Sequence, residues 1–174
     1  MMCTIQYPSW IKPEIIPGFP LLRWYGLMYL VAFMIAFALF KLQVKKGELQ
    51  RYAKSEKPIT NEDVIDFFTW SLFGLMLGAR IFATLVYEPT WLYWQKPWLI
   101  FWPFSESHEW TGLQGMSYHG GFIGCFIGAF LWTKRYKQDF FAWADTAAAG
   151  IPLGYTFGRI GNFLNGELYG RITL

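Results

Sequence analysis

The sequence is poor in charged residues. Only 16% of its 174 residues are charged, whereas a soluble globular domain averages roughly 25%. Hydrophobic residues make up 54% of the chain and aromatic residues 21%, and aromatic rings gather where a membrane meets water. The charge deficit therefore predicts an integral membrane protein, with residues 1–174 forming a single membrane domain.

Cysteine and histidine are also scarce, with two of each. Cys3 and Cys125 are too few and too differently placed for a disulfide framework or a metal cluster. His108 and His119 alone give little support for a zinc site. The sequence contains no P-loop and no dinucleotide fingerprint, the motifs that would indicate a bound nucleotide. Its first 20 residues lack a basic start followed by an apolar core, which argues against a cleavable signal peptide.

The net charge of +3 does not indicate nucleic-acid binding, because the basic residues stand in blocks between apolar runs. This pattern is typical of the cytoplasmic loops of membrane proteins. The first block comprises Lys41, Lys45, Lys46, Arg51, Lys54 and Lys57, and the second comprises Lys134, Arg135 and Lys137. We therefore expect contact with membrane lipid and no nucleic-acid partner.

Four apolar runs predict an all-α fold of about four transmembrane helices, near residues 20–40, 64–87, 117–134 and 140–159, since a span needs about 20 residues. Thr60 and the three polar residues after it form a plausible start for the second helix. The Trp-rich stretch 91–104 is short and contains two prolines, so we expect it to lie in the membrane interface.

Glycines recur at intervals of four residues in these runs, which places them on one stripe of each helix. Such stripes let helix backbones approach closely in a membrane bundle. They comprise Gly74 and Gly78; Gly120, Gly124 and Gly128; and Gly150, Gly154 and Gly158.

Loop charge predicts the topology. The loop after the first helix is strongly basic, whereas 88–115 contains only Lys96 as a basic residue. The first loop is therefore expected in the cytoplasm and the second outside, with an external N-terminus. Following the helices in order places Tyr25, His119 and Arg159 at external helix ends. Arg80 and Asp145 are charges within apolar runs, so we expect both to face the bundle interior.

The stretch GRIGNFLNGELYGR at 158–171 combines two arginines, two asparagines and a glutamate. We expect it to form a polar external hairpin. Its polar groups need partners near a membrane, supplied either by the protein or by a ligand headgroup. An arginine fork matches phosphate oxygens, but Arg159 extending to the interface is the simpler alternative.

Three stretches together resemble the prolipoprotein diacylglyceryl transferase family. The run 158–170 is similar to the signature of that family, and RWYG at 23–26 and YHGG at 118–121 resemble other family motifs in the same order. The resemblance covers the chain from the first predicted helix to Arg171.

The resemblance implies transfer of an sn-1,2-diacylglyceryl group from phosphatidylglycerol to the lipobox cysteine of a prolipoprotein signal peptide, forming a thioether. It also implies that no metal, nucleotide or other cofactor is required. It implies His119, Arg159 and Tyr25 as catalytic residues, with His119 suited to act as the base because an imidazole is largely neutral at pH 7. It assigns phospholipid binding to Arg159, Asn162, Glu167 and Gly170.

The resemblance also implies a multi-pass protein of the bacterial inner membrane whose active site faces the periplasm. Family members continue beyond the signature with further helices and a second important arginine, so we expect this chain to be a truncated form that is inactive alone. Two alternatives stay open on the residues themselves: a fragment of a membrane transporter, given the charges within apolar runs, and a non-catalytic membrane assembly subunit.

Overall fold

The computed structural model describes residues 8, 10–16, 23–53, 58–88, 91–102 and 115–166. Within these residues the secondary structure is helical, and the β contact is one isolated bridge between Glu14 and Arg23. The prediction of an all-α protein is confirmed for them. The α-helices are α1 (Trp24–Lys45), α2 (Glu48–Ala53), α3 (Asn61–Phe82), α4 (Leu92–Gln95), α5 (Tyr118–Arg135), α6 (Phe140–Ala148) and α7 (Ile151–Asn165).

Among the described residues, two helices are long and apolar enough to cross a membrane. They are α1 and the continuous helix Asn61–Tyr87, which consists of α3 followed directly by a π-helix, Ala83–Tyr87. Large apolar side chains such as Leu30, Met34 and Phe73 are exposed along both helices, as expected for helices that face lipid. These features support a membrane protein. The predicted end of α1 near residue 40 was too early, because the helix continues to Lys45, and a basic side chain is favourable at a helix C-terminus.

The start of α3 lies at Thr60 and the polar residues after it, where the sequence predicted a helix start. The Thr60 hydroxyl accepts a hydrogen bond from the Asp63 amide at 3.2 Å, and the Asp63 carboxylate accepts one from the Thr60 amide at 2.8 Å. This capping box satisfies two backbone donors that the helix itself leaves without partners.

The fourth predicted helix, 140–159, is wrong in both its continuity and its end. The structure has two helices there, α6 and α7. Pro152 lies in the first turn of α7, where the missing amide costs no helical hydrogen bond, so this proline starts a helix. Helix α7 then continues through Arg159 to Asn165 and ends at Gly166, whose φ of 68° suits a left-handed cap.

The chain divides into two compact units. One contains residues 50–144, and the other contains residues 1–49 and 145–174. Each unit is held together by a pair of helices, α3 with α5 in the first and α1 with α7 in the second.

Helices α3 and α5 meet through their glycine stripes, as the spacing predicted. A Cβ atom on Gly124 would overlap the carbonyl oxygen of Gly74 and lie 2.9 Å from the Gly78 Cα. Gly120 abuts the Gly78 carbonyl, and Gly128 abuts that of Trp70. The two backbones are therefore in direct contact, which only glycine allows.

An aromatic cluster forms a second contact within the 50–144 unit, beside the glycine contact. Trp132, Trp143 and Phe67 are almost fully buried, with exposed fractions of 0%, 0% and 3%. Their ring centroids lie 4.5 Å apart for the two tryptophans and 5.4 and 4.9 Å from Phe67 to Trp132 and Trp143. Tilted and edge-on pairs at these distances are favourable, so the cluster fixes α5 and α6 against α3.

Helices α1 and α7 pack antiparallel in the other unit. A Cβ atom on Gly150 would lie 3.1 Å from Ala36, and one on Gly161 would lie 3.2 Å from the Met28 Cβ. The residue numbers of α1 fall as those of α7 rise, so the start of α1 lies beside the C-terminal half of α7.

Candidate functional site

The first turn of α5, which carries His119, is held against the end of α3. The buried Ser117 caps α5, because its hydroxyl accepts a hydrogen bond from the Gly120 amide at 3.2 Å. The Ser117 amide donates to the carbonyl of Ala79 on α3 at 2.9 Å. His119 therefore has a fixed backbone position at a helix start, as the sequence predicted.

The imidazole of His119 meets a tyrosine from the π-helix. The Tyr87 hydroxyl lies 2.9 Å from His119 Nδ1, within hydrogen-bonding distance. The Tyr87 ring packs edge-on against Phe82, with centroids 5.4 Å apart and planes at 87°. This contact engages Nδ1, so Nε2 is the ring nitrogen that His119 can present to a substrate.

Arg80 joins α3 to the segments on either side of the 103–114 gap. It is buried, with 7% of its surface exposed, as the sequence predicted for a charge within an apolar run. Its Nε donates to the carbonyl of Ile100 at 2.6 Å, and its Nη1 donates to that of Gly115 at 3.3 Å. The guanidinium also lies 5.9 Å from the Tyr93 ring centroid. Arg80 thus anchors the Trp-rich segment and the residue that leads into α5.

Replacing Arg80 with methionine is expected to destabilise the 50–144 unit by about 1–3 kcal/mol, since the Ile100 and Gly115 carbonyls lose a donor. Tryptophan fluorescence during thermal unfolding in detergent micelles would measure the loss. The control is Arg135→Met at the exposed end of α5, which should change stability by no more than about 0.5 kcal/mol. Equal melting temperatures for the two variants would contradict the anchoring role.

Asp145 does not follow the expectation made for it. The sequence predicted that Asp145, like Arg80, faces the bundle interior, yet its side chain is exposed in the structure. Asp145 lies on α6 three residues before that helix ends, close to the break that the sequence did not predict. An acidic side chain near a helix break can reach water, so burial is unnecessary.

Tyr25 lies at the start of α1, against the C-terminal half of α7. A Cβ atom on the buried Gly161 would lie 3.3 Å from the Tyr25 ring. The Tyr25 hydroxyl is hydrogen-bonded to that of Tyr29 at 2.8 Å, and the two rings pack edge-on with centroids 4.7 Å apart. The structure therefore brings Tyr25 close to the signature stretch at 158–170, which is distant from it in the sequence.

Arg159 lies within α7 and not at its end. The predicted external hairpin is therefore wrong up to Asn165, because the signature is helical to that residue. The Arg159 side chain is exposed, its Nε donates to the Tyr155 hydroxyl at 2.8 Å, and its guanidinium lies 4.9 Å from the Tyr155 ring centroid. Tyr155 thus orients the guanidinium while leaving much of it exposed.

Asn162 is buried on the same helix, with 9% of its surface exposed. It lies one turn after Arg159, so the two side chains project from neighbouring faces of α7. The remaining predicted ligands, Glu167 and Gly170, lie outside the described residues, as do Cys3 and His108.

Among the described residues, the hydrogen bonds of three tyrosines to predicted site residues were not predicted. Tyr29 and Tyr155 are four residues from Tyr25 and Arg159 respectively, and this helical spacing is a signal that sequence reasoning could have used. Tyr87 is 32 residues from His119, and no sequence spacing predicts that contact.

Among the described residues, no group of three or more histidine, cysteine or acidic side chains could hold a metal ion. Within the described residues, the predicted site residues provide an imidazole in the 50–144 unit, and a phenol, a guanidinium and an amide in the other unit. An imidazole can transfer a proton, and a guanidinium can bind an anionic headgroup.

Comparison with known proteins gives a consistent result. A family model described as prolipoprotein diacylglyceryl transferase matches residues 14–174. Phosphatidylglycerol–prolipoprotein diacylglyceryl transferases from Treponema pallidum and Treponema denticola are 61% and 63% identical to the chain over 99% of its length. The enzyme of that name from Campylobacter jejuni is 42% identical over 87% of it. The chain spans about half the length of these relatives, 52% of each Treponema protein and 53% of the Campylobacter protein.

Proposed function

Because the chain belongs to the prolipoprotein diacylglyceryl transferase family, we propose that it forms part of an enzyme acting on phosphatidylglycerol and prolipoproteins. The reaction transfers the sn-1,2-diacylglyceryl group to the lipobox cysteine thiol of the signal peptide, the first step of bacterial lipoprotein maturation. The observation that carries this proposal is the family match over residues 14–174. Family membership disfavours the transporter and assembly-subunit alternatives.

The chemistry is a displacement at carbon. The cysteine sulfur attacks the glyceryl carbon that bears the phosphate, a C–S bond forms, and the C–O bond to phosphate breaks. Glycerol phosphate leaves with the electron pair, and the thiol proton passes to a base. A free thiol has a pKa of about 8.5, so a base or a positive field is needed at neutral pH.

In this proposal Arg159 and Tyr25, which belong to the unit of residues 1–49 and 145–174, bind the lipid headgroup. The exposed guanidinium of Arg159 pairs with the phosphate and stabilises the negative charge that develops on the leaving group. The Tyr25 hydroxyl donates a hydrogen bond to the headgroup. Asn162, Glu167 and Gly170 contribute to headgroup binding or orient Arg159. The Tyr155 contacts of Arg159 support this role, because an oriented arginine loses less freedom on binding.

His119 takes the thiol proton at Nε2. Support comes from the Tyr87 contact at Nδ1, which leaves Nε2 to serve as the base. We further propose that α1, the continuous helix Asn61–Tyr87, α5 and the consecutive pair α6–α7 cross the membrane as parts of a single membrane domain, with the Trp-rich segment in the interface. The N-terminus is external, and the active site faces the periplasm of a bacterial inner membrane.

The activity can be tested in a chimaera in which this chain replaces the matching segment of the Treponema denticola relative. With phosphatidylglycerol labelled in its diacylglyceryl group, the chimaera should transfer label to a lipobox peptide and not to a Cys→Ser version of that peptide. No transfer by the chimaera, under conditions where the intact relative is active, would refute the proposed function.

Arg159→Ala in this chimaera is expected to lower kcat/KM for phosphatidylglycerol by about 10–100-fold, since a charge-assisted hydrogen bond is lost. Arg159→Lys should recover only part of the activity, because an ammonium cannot form the planar fork. Steady-state assays at several lipid fractions in mixed micelles would measure both. Arg135→Ala serves as the matched control, and a similar loss there would show that general charge, not the Arg159 contact, matters.

A further inference from the structure

We propose that Tyr87 is a positioning residue for His119, and that its hydroxyl oxygen accepts a hydrogen bond from Nδ1–H and so keeps the lone pair of the imidazole on Nε2. This inference rests on the proposed function, in which His119 accepts the thiol proton. It assigns a role to the π-helix, for which neither the sequence pattern nor the family comparison gives one.

A ring contact at Tyr87 and a backbone anchor near His119 place the two side chains beside each other. Tyr87 is the last residue of the π-helix, and its ring is fixed edge-on by Phe82. His119 stands in the first turn of α5, which Ser117 ties to Ala79. Both residues lie in the same 50–144 unit, whose packing brings their backbones close together, so their exposed side chains meet with 2.9 Å between Oη and Nδ1.

The π-helix and the glycines set this distance. A π-helix has wider i→i+5 turns and appears mostly as short insertions within α-helices, frequently at functional sites. Those wider turns change the direction of Tyr87 relative to an α-helical continuation of α3. Gly120 abuts both the Phe82 Cβ and the Gly78 carbonyl, so a side chain at position 120 would push the first turn of α5 away from Tyr87.

The protonation cycle determines which way the hydrogen bond runs. A base at Nε2 has its lone pair there, so its proton is on Nδ1; after it takes the thiol proton, both nitrogens carry hydrogens. Nδ1 is thus a donor in both states, and the Tyr87 oxygen accepts in both without rearrangement. This is the orienting role that the third member of a nucleophile–base–orienter triad plays.

The protonation state can be read directly in the 174-residue chain. Ring-15N-labelled histidine would be incorporated into the His108→Gln variant in lipid nanodiscs, leaving one imidazole signal. At a pH where the ring is neutral, we expect hydrogen on Nδ1 and a bare Nε2. Tyr87→Phe should shift the population toward Nε2–H, whereas Tyr136→Phe, at the opposite end of α5, should leave it unchanged.

The same variants separate positioning from catalysis in the chimaera. Tyr87→Phe is expected to lower kcat by about three- to tenfold, the loss of one hydrogen bond, with the KM for the lipobox peptide unchanged. Hydrogen on Nε2 in the parent, or the same tautomer in parent and Tyr87→Phe, would overturn the inference while leaving transferase activity in place. Loss of the proposed function appears instead as a chimaera that transfers no label.

Discussion

His119→Gln in the chimaera is expected to lower kcat by about 10²–10⁴-fold, the range that general acid–base catalysis contributes. Glutamine has polar atoms that can still meet the Tyr87 hydroxyl, but its amide cannot accept a proton at neutral pH. The substitution therefore removes the chemistry and keeps much of the packing at the start of α5. Label transfer from phosphatidylglycerol to the lipobox peptide would measure the rate.

The second histidine provides the control for this variant. His108→Gln makes the same chemical change at a residue that the sequence places in the external segment 88–115, and activity should be unchanged. A peptide with a more acidic thiol should also restore part of the rate of His119→Gln, because less proton transfer is needed. If His119→Gln retains the parent rate, His119 is not the base.

Gly124→Ala is expected to destabilise the 50–144 unit by more than about 1–3 kcal/mol, the usual cost of overpacking. The new methyl group would meet backbone atoms, the Gly74 carbonyl and the Gly78 Cα, and backbone cannot rotate away as a side chain can. Helices α3 and α5 must then separate along the glycine stripe. Far-UV circular dichroism during titration with SDS would measure the change in stability.

Gly121→Ala is the matched control, since it makes the same change in the same helix. A Cβ atom there would lie 3.5 Å from the Ala79 Cβ, an ordinary van der Waals contact, and alanine favours helix over glycine by about 1 kcal/mol. Gly121→Ala should therefore be neutral or stabilising. Equal destabilisation by the two substitutions would contradict a direct backbone contact at Gly124.

Local signals in the sequence predicted several parts of the fold correctly. The apolar run at 64–87 and the polar residues before it predicted α3 and its cap, because a capping box depends on residues three apart. The glycine spacing predicted the α3–α5 contact face, because glycines four residues apart lie on one stripe of a helix. The break between α6 and α7 was missed, since Pro152 has opposite effects inside a helix and in its first turn.

In the candidate site, too, the sequence predicted some features and not others. The sequence by itself determined the chemistry that is available: an arginine, a histidine, a tyrosine and an amide in motifs that resemble one family. Helical spacing could have predicted the neighbours Tyr29 and Tyr155, but only the tertiary structure decided the contacts between residues distant in the chain, as with Tyr87 at His119 Nδ1 and Gly161 beside the Tyr25 ring. Motifs depend on residues close together in the chain, whereas such contacts arise only when backbones pack, because side chains distant in sequence then share one surface.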